Sequence, residues 1–423
     1  MSDHIYMIPT HRQAAKAIDS LSEEVVIANE MFGLEIPMVI LYSSKSLLEN
    51  EQENLSRISK QRRVDIILFC DDDLMRRLTA LGLEDEMLET IFPPGISYGA
   101  ARVKCFIAAA SLGCSYIHFR DSDVRLINRT RKGPSVALYP LIHELQLLGQ
   151  DVDDLRSKEW AKITEDCTGR LAYTAGSWSG DPPIDVSFMS LDEILNFFGA
   201  TLDQEFGQRL VQLTEFIEIP SVKRIEAEVG LWRGICVGAN FSIGPIYRWL
   251  PCPTIRETLG VCDYFLARFV FHVLKLPSAS HNAAIGHYRG KRSSEEYAHY
   301  WTFLIRELDL DFAFRFLFDD FSTGFQGVRE RITAFAEWGK AFLNSTEFRE
   351  FEEKRKINLR RGLDVTRNSK NKHLREIALA SREEIIIQQI NKGLYDYFNL
   401  LLNWHKVVSM VKEIAPTCSI RSM

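Results

Sequence analysis

The sequence predicts an α/β fold in which a largely parallel sheet is flanked by helices and followed by a helical C-terminal region. In the first third of the chain, short apolar and β-prone runs alternate with amphipathic helical patterns. Such alternation is typical of a parallel sheet that is covered on both faces. From Glu295 onward, apolar residues recur near the 3.6-residue helical period. The 423 residues, 46% of them hydrophobic, suffice for a sizeable core.

The predicted elements of the first half follow from these patterns. An opening strand ends at a Pro9–Thr10 turn, and a helix comes next. Three more apolar runs predict strands. Between the second and the third of these runs, apolar residues at helical spacing predict a helix that ends at Gly113. The runs are Ile36–Ser44, Val64–Asp73, Ser97–Gly113 (the helix) and Cys114–Phe119. Because ligands of such sheets bind beyond the carboxyl ends of the strands, those ends are the first place to look for a site.

The middle of the chain is less regular. Helices are predicted at 137–148, 191–216 and 258–274, and a glycine-bounded strand at 234–244. Two segments rich in Gly, Ser, Ala and Pro predict loops or irregular structure, at 170–190 and 277–292.

Composition excludes several classes of protein. The net charge of −6 argues against general nucleic-acid binding. None of the eight Cys forms a CxxC pair, which argues against a zinc ribbon. No signal peptide and no membrane-spanning apolar run is visible in the sequence. A reducing, cytoplasmic setting is therefore expected.

One stretch of the sequence contains residues that suggest a metal-binding site. The apolar strand that begins at Tyr116 ends abruptly in Asp121 and Asp123, separated by one small residue. Two carboxylates this close repel each other, and a divalent cation such as Mg²⁺ or Mn²⁺ relieves that repulsion. The alternative interpretation is a solvated polar turn after a strand.

The segment GISYGAARVKCFIAAASLGCSYIHFRDSDV, at 95–124, resembles the core of GT-A glycosyltransferases, the nucleotide-sugar transferases with a DxD motif. In that superfamily a helix carrying an Arg precedes the strand that ends in DxD, and the DxD holds Mn²⁺ or Mg²⁺ against the donor diphosphate. Arg102 falls where those enzymes often have an Arg-Asn pair, although Val103 replaces the Asn. The segment 234–292 matches more loosely.

The resemblance implies roles for individual residues. Asp121 and Asp123 are the expected metal ligands, with His287 of GHYRGKR as the third ligand and His281 as its rival. Asp263 is the expected catalytic base of an inverting enzyme or the sugar-positioning acid of a retaining one; alternatively it only caps a helix. Trp178 is the expected acceptor contact. The expected donor-binding residues are Pro9, Thr10, Arg12, Asp71, Arg102, Lys104, Ser122, Gly238, Asn240, Arg289 and Arg292.

The resemblance thus implies a GT-A-like, Rossmann-type mixed or parallel sheet. Its nucleotide-sugar-binding half is expected at 1–128, its acceptor and catalytic half at 129–294, and a helical extension at 295–423. The implied enzyme is a hexosyltransferase-like glycosyltransferase that uses Mn²⁺ or Mg²⁺ and a UDP- or GDP-linked sugar, with retention slightly favoured over inversion. A nucleotidyltransferase of similar fold and a non-catalytic nucleotide-sugar-binding protein remain as alternatives. The first strand is not followed by a glycine-rich loop, which disfavours the nucleotidyltransferase.

The helical region contains one conspicuous basic run. Nine Lys or Arg and one Asp lie between Lys354 and Arg375. Charge runs are usually solvated faces, and the other interpretation is contact with an anionic acceptor, a membrane surface or donor phosphates. The helices themselves are expected to pack on the sheet, to cap the acceptor site, or to form a homodimer.

Overall fold

The computed structural model describes residues 2–127, 139–158, 161–163, 168–180, 227–230, 240–258, 261–288 and 294–422. Within these residues, eleven strands form one mixed sheet in the order β11-β3-β2-β1-β4-β9-β7-β10-β8-β6, and β5 pairs with β10. The strands are β1 (His4–Thr10), β2 (Met38–Tyr42), β3 (Ile66–Cys70), β4 (Tyr116–Arg120), β5 (Val124–Arg125), β6 (Ala161–Ile163), β7 (Tyr173–Gly180), β8 (Ala227–Gly230), β9 (Asn240–Ile243), β10 (Ser278–His287) and β11 (Cys418–Ile420).

The helices flank this sheet and then form the C-terminal region. Those before and between the strands are α1 (Ala15–Phe32), α2 (Lys45–Arg62), α3 (Asp71–Ala80), α4 (Asp85–Ile91), α5 (Tyr98–Ser111), α6 (Pro140–Leu147), α7 (Val152–Arg156) and α8 (Val261–Arg268). A π-helical turn, Phe269–Val273, continues α8. The C-terminal helices are α9 (Ser294–Asp320), α10 (Val328–Phe342), α11 (Thr346–Arg367), α12 (Lys372–Ala380) and α13 (Glu383–Met410).

Among the described strands, direction places the carboxyl ends of six, β1 to β4, β7 and β10, at one edge of the sheet. β1 is parallel to β2 and β4, and β2 is parallel to β3. β9 is antiparallel to β4 and to β7, and β10 is parallel to β7. The carboxyl end of β10 therefore lies at the same edge as the carboxyl ends of β1 to β4.

Alternation along the strands divides the core into two layers, because successive side chains point to opposite faces. Ile5, Met7 and Phe119 face α5 and the C-terminal helices. Tyr6 and Ile8 face α1, α2 and α6. The helical region shares the first core with the sheet, and Trp404 of α13, which is fully buried, donates from Nε1 to the carbonyl of Tyr247 at 2.9 Å. The expectation that the C-terminal helices pack on the sheet is confirmed.

A close approach explains the glycine in the GT-A-like segment. Gly99 lies in the first turn of α5, and a Cβ added there would come within 1.7 Å of the carbonyl oxygen of Pro253. Only a residue without a side chain lets α5 approach this backbone. The N-terminus of α5 is further held by Ser97, whose Oγ accepts from the Ala100 amide at 3.1 Å.

Two segments predicted as irregular contain strands, and those predictions are wrong for the residues that the structure describes. Residues 170–190 contain β7, and residues 277–292 contain the ten-residue strand β10. β10 consists mostly of Ser, Ala, Gly and His, which have little β propensity, whereas β7 combines Ser, Ala and Gly with the β-prone Tyr173, Thr174 and Trp178. Their strand structure comes from pairing on both sides, since β7 lies between β9 and β10 and β10 lies between β7 and β8. The predicted third strand also ends early, because Asp71 already begins α3.

Other predictions fall partly outside the described residues. The strand predicted at 234–244 is described only from Asn240 onward, where β9 begins. The helix predicted at 191–216 lies outside the described residues. Among the helices that the structure does describe, none is long and apolar enough to cross a membrane. The mixed sheet flanked by helices, with a helical C-terminal region, is as expected.

Candidate active site

The candidate site lies at the sheet edge where β1, β3, β4 and β10 end. Each of these strands is followed, or ended, by a polar side chain named in the sequence analysis: Arg12, Asp71, Asp121 with Asp123, and His287. β5 pairs with the end of β10, so that Val124 lies opposite His287. The Tyr288 amide also donates to the carbonyl of Asp123 at 2.9 Å. The carboxylate pair and the end of β10 are therefore fixed to each other through the backbone.

Asp121 is held by an arginine of the neighbouring helix. Nη2 of Arg102, in α5, donates to Oδ1 of Asp121 at 2.8 Å. The Arg102 side chain is only 5% exposed, and its guanidinium lies 4.9 Å from the ring centre of Phe119 and 5.2 Å from that of Phe241. Two aromatic faces thus fix this positive charge beside the carboxylate. Arg102, an expected donor-binding residue, thus lies in contact with Asp121.

Asp123 is held by a different arginine and faces His287. Nη2 of Arg12 lies 2.7 Å from Oδ2 of Asp123, and Nε of Arg12 donates to Oγ of Ser122 at 3.3 Å. On its other side, Oδ1 of Asp123 lies 3.5 Å from Nε2 of His287. The Asp123 and His287 side chains are 10% and 5% exposed. Arg12, Ser122, Asp123 and His287 therefore form one contiguous group.

The oxygen and nitrogen atoms of this group are of the types that bind a divalent cation. Carboxylate oxygens suit Mg²⁺ and Mn²⁺, and imidazole nitrogen is an additional ligand for Mn²⁺. Asp123 and His287 already lie beside each other, and Asp121 follows the same strand. In the part of the chain that the structure describes, however, no three His, Cys, Asp or Glu side chains are arranged closely enough to hold a metal ion. Arginines provide the positive charge at both carboxylates here.

The loop after β1 is fixed at both ends. Thr10, 5% exposed, accepts from the Arg12 amide at 3.2 Å and donates to the Arg12 carbonyl at 2.7 Å. Farther along, the buried carboxylate of Glu51 accepts from the Ala14 and Ala15 amides at 2.8 and 3.1 Å. Glu51 therefore caps the start of α1 from α2. Sequence reasoning missed it, because the two ends of this contact are far apart in the chain.

His11 is a second residue that the sequence analysis did not identify. It lies between Thr10 and Arg12 in the same loop. Partial burial and the neighbouring Arg12 lower the pKa of the His11 imidazole, while Asp123 and Asp121 oppose that shift. These interactions place His11 within electrostatic reach of the carboxylate pair.

Asp71 and Lys104 form a pair at the end of β3. Nζ of Lys104, in α5, contacts Oδ2 of Asp71, and both side chains are mostly buried. Burial raises the pKa of the Asp71 carboxyl above its usual value, although the Lys104 ammonium opposes the shift. The two expected donor-binding residues are thus brought together. Pro9, the residue before Thr10, is also at this edge, paired in register with Leu41 of β2.

A buried network of ion pairs lies next to the site, on the face of β4 that packs against α1 and α6. Nη1 of Arg120 donates to Oε1 of Glu144 at 2.9 Å, and Nε donates to Oε1 of Glu24 at 3.2 Å. All three side chains are fully buried. Burial works against ionisation of Glu144, but the Arg120 guanidinium and the hydrogen bond with His118 hold its pKa well below the usual range. The network joins α1 and α6 to β4 immediately before Asp121.

His281, the rival metal ligand, belongs to this network rather than to the carboxylate pair. Its Nε2 lies 3.8 Å from Oε1 of Glu144, and its ring stacks on His143 with centres 5.6 Å apart. It is 3% exposed and lies at the register shift of β10 between Ser280 and Ala284. Among the two His considered at the sequence level, His287 is the one beside Asp123.

Asn240 is fully buried, and its Nδ2 donates to the Ala283 carbonyl at 3.1 Å. A Cβ on Gly176 of β7 would come within 2.2 Å of that same Nδ2. In this structure Asn240 therefore holds the irregular part of β10, and its expected contact with the donor sugar stays a prediction.

Several expected site residues cannot be placed. Gly238, Arg289 and Arg292 lie outside the described residues. The backbone of Trp178 lies in β7, opposite Ile285 of β10, and the backbone of Asp263 lies in the first turn of α8. Their side chains are outside the described part of the structure, so the roles expected for them stay predictions.

Comparison with known families gives one match. Residues 4–195 match a family described as a family of unknown function (DUF6271). The matched segment is less than half of the chain and contains the carboxylate pair. No curated protein matches the chain.

Comparison with solved structures gives distant similarities. The chain is similar to glucosyl-3-phosphoglycerate synthase from Mycobacterium tuberculosis, with 13% identity, coverage of 73% of this chain and 79% of that chain, and a TM-score of 0.34. Mannosyl-3-phosphoglycerate synthase from Rubrobacter xylanophilus has 9% identity, coverage of 76% and 78%, and a TM-score of 0.37. A mannosyltransferase from Pyrobaculum calidifontis, in complex with GDP-Man and Mn²⁺, has 9% identity, coverage of 97% and 86%, and a TM-score of 0.38. At these values the function has to be inferred from the site itself.

Proposed function

We propose that the chain is a metal-dependent glycosyltransferase of the GT-A type, which transfers a sugar from a UDP- or GDP-linked donor to an acceptor. One observation carries this proposal. The carboxylate pair Asp121 and Asp123 ends a central strand and lies beside Arg102, Arg12 and His287 at the edge of the sheet where ligands of such folds bind. Carboxylates and cations gathered at one such edge suit a metal-bound diphosphate.

Asp121 and Asp123 are the proposed cation ligands, with His287 as the third. Held by these side chains, Mn²⁺ or Mg²⁺ would supply positive charge beside the diphosphate leaving group. Arg102 assists from a fixed position, because the rings of Phe119 and Phe241 hold its guanidinium. Because the guanidinium is already held in position, its surroundings need little reorganisation when negative charge builds on the leaving group.

The nucleotide is proposed to bind between the ends of β1 and β3. Pro9 and Thr10 provide one wall, and the Asp71–Lys104 pair provides the other. Arg12 follows Thr10 and contacts Ser122 of the carboxylate segment, and both are proposed donor contacts. The remaining proposed donor contacts are Asn240, Gly238, Arg289 and Arg292, which follow from the resemblance alone.

The chemical step is proposed to involve Asp263, either as the base of an inverting reaction or as a sugar-positioning acid of a retaining one. Retention is slightly favoured, because His287 resembles the third metal ligand of retaining enzymes and Cys262 replaces the first acid of the usual inverting pair. Trp178 is the proposed acceptor contact. NMR of the anomeric proton of the product, compared with that of the donor, decides between retention and inversion.

A panel of UDP- and GDP-sugars, incubated with the protein and read by release of the nucleotide diphosphate with and without Mn²⁺, tests the proposal. Metal-dependent release of UDP or GDP is the expected result. Release of pyrophosphate from a nucleoside triphosphate and a sugar phosphate would instead indicate the nucleotidyltransferase. Metal-dependent donor binding with no turnover for any acceptor tried would indicate a nucleotide-sugar-binding protein.

A further inference from the structure

The two arginines that neutralise the carboxylate pair differ in their freedom to move. Arg102 is 5% exposed and lies between two aromatic rings. Arg12 is 42% exposed and extends from the loop after β1 to reach Oδ2 of Asp123 at 2.7 Å. Moving Arg102 would require repacking of the core, whereas Arg12 needs only a change of side-chain rotamer.

The backbone of Arg12 cannot follow its side chain. Thr10 binds both the amide and the carbonyl of Arg12, and Glu51 binds the Ala14 and Ala15 amides. The guanidinium therefore moves on a fixed base, within the length of one side chain. This range keeps it at the sheet edge, next to Ser122 and the carboxylate pair.

Given the proposed function, we propose that Arg12 is an exchangeable counter-ion of Asp123. It occupies this carboxylate when no ligand is bound, and it moves to the donor diphosphate when the cation arrives with the nucleotide. The physical reason is competition, because a guanidinium and a divalent cation are both positive and bind the same carboxylate. A diphosphate provides the displaced guanidinium with oxygens that it binds in bidentate fashion.

The exchange makes cation and nucleotide binding cooperative. Without a nucleotide, a divalent cation has to displace the Arg12 guanidinium from Asp123. The guanidinium then lies beside the bound cation without a negatively charged partner. With a nucleotide diphosphate, both positive charges gain a partner. The protein therefore binds the free cation weakly and the cation together with the nucleotide much more tightly.

The test compares Arg12→Gln with the wild-type full-length chain. Binding of Mn²⁺ alone is measured from the electron paramagnetic resonance signal of free Mn²⁺, and binding of UDP and GDP at saturating Mn²⁺ is measured by calorimetry. The variant is expected to bind Mn²⁺ alone about tenfold more tightly and the nucleotide about tenfold more weakly, as expected for one charge-assisted interaction. Arg125→Gln is the matched control, because it removes a nearby positive charge that lies over the ring of Tyr288 at 5.3 Å. It should leave both affinities within about twofold.

The outcomes separate this inference from the proposed function. If Arg12→Gln binds Mn²⁺ alone no better than the wild type does, Arg12 is not a competitor, although the metal site stands. If Mn²⁺ binds more tightly but nucleotide affinity is unchanged, transfer to the diphosphate is disproved. If Mn²⁺ binds to neither protein, with or without UDP or GDP, the metal-dependent function is overturned, and the inference with it. Melting temperatures confirm that the variants are folded.

Discussion

Nη2 of Arg102 lies 2.8 Å from Oδ1 of Asp121, and the same guanidinium packs against the rings of Phe119 and Phe241. A solvated turn, the alternative interpretation of the carboxylate pair, would leave its acids in water. Instead Asp121 is 31% exposed, Asp123 is 10% exposed, and each is paired with an arginine. The local arrangement favours a binding site over a turn.

Asp123→Asn is expected to abolish the proposed transfer and to weaken nucleotide binding in the presence of Mn²⁺ by about 100-fold, because it removes a negative charge of the proposed cation site. The fold should survive, since the lost pair involves a half-exposed Arg12 and contributes about 1 kcal/mol or less. Calorimetry with UDP and GDP measures the nucleotide affinity, and a melting curve measures the stability of the fold. Asp19→Asn, which breaks a surface pair with Arg62, is the control. Near-full turnover of the Asp123 variant would disprove the transferase proposal.

His287→Ala is expected to raise the Mn²⁺ concentration for half-maximal nucleotide binding about tenfold, because one of the three proposed ligands is lost. His281→Ala is the matched control on the same strand. It contacts Glu144 rather than Asp123 and should lower the melting temperature without changing the Mn²⁺ requirement. An unchanged Mn²⁺ requirement in His287→Ala removes this residue from the metal site.

Arg120→Met is expected to lower the free energy of unfolding by about 3–5 kcal/mol, since it leaves Glu24 and Glu144 buried without their cation. Urea denaturation measures this loss. Arg62→Met removes an exposed partner of Asp19 and should cost less than about 1 kcal/mol. The double variant Arg120→Met with Glu144→Gln should recover part of the loss, because one buried charge disappears. Equal losses for the Arg120 and Arg62 variants would contradict this account of the network.

Stability should depend on the protonation of His4. Burial and the neighbouring His118 lower the pKa of His4 to about 4, with Asp3 opposing. Between pH 6.5 and 4 the unfolded chain therefore binds a proton that the folded chain does not bind, so stability falls as the pH is lowered through this window. This pKa shift corresponds to a change of at most about 3 kcal/mol in the free energy of unfolding. The actual change should be smaller, because the ring is partly exposed to solvent.

Comparison with His4→Gln isolates this contribution, since all other titrating groups are shared. The free energy of unfolding of the wild type should decrease more steeply than that of the variant between pH 6.5 and 4. Parallel curves for the two proteins would show that His4 does not titrate in this way.

One cation of the basic run 354–375, Arg355, is expected to stabilise the fold. Within it, Nε of the buried Arg355 lies 3.0 Å from Oδ1 of Asp309, whereas Lys356 pairs with Glu352 and Glu353 near the surface. Arg355→Ala should cost about 3–5 kcal/mol, because Asp309 is left buried and unpaired. Lys356→Ala should cost less than about 1 kcal/mol. Urea denaturation of the two variants tests this difference, and similar midpoints would contradict the role of the Arg355 pair.

Local patterns in the sequence determined the α/β class, the helical C-terminal region and the position of the carboxylate pair. Periodicity and apolar runs are properties of neighbouring residues, so β2, β3, β4 and α5 are visible in the chain itself. The predicted parallel sheet then puts Asp121 and Asp123 at the carboxyl ends of its strands, the edge where ligands of such folds bind.

Only the tertiary structure decided which residues meet at that edge. β7 and β10 are strands because neighbours on both sides bind their backbones, which overrides the weak propensity of Ser, Ala and Gly. β11 likewise depends on the tertiary structure, because it returns from the C-terminus to pair with β3 at the edge of the sheet. The contacts of Arg12 with Asp123 and of Glu51 with the start of α1 join elements distant in sequence. Such pairings depend on how whole elements pack, and no local pattern records them.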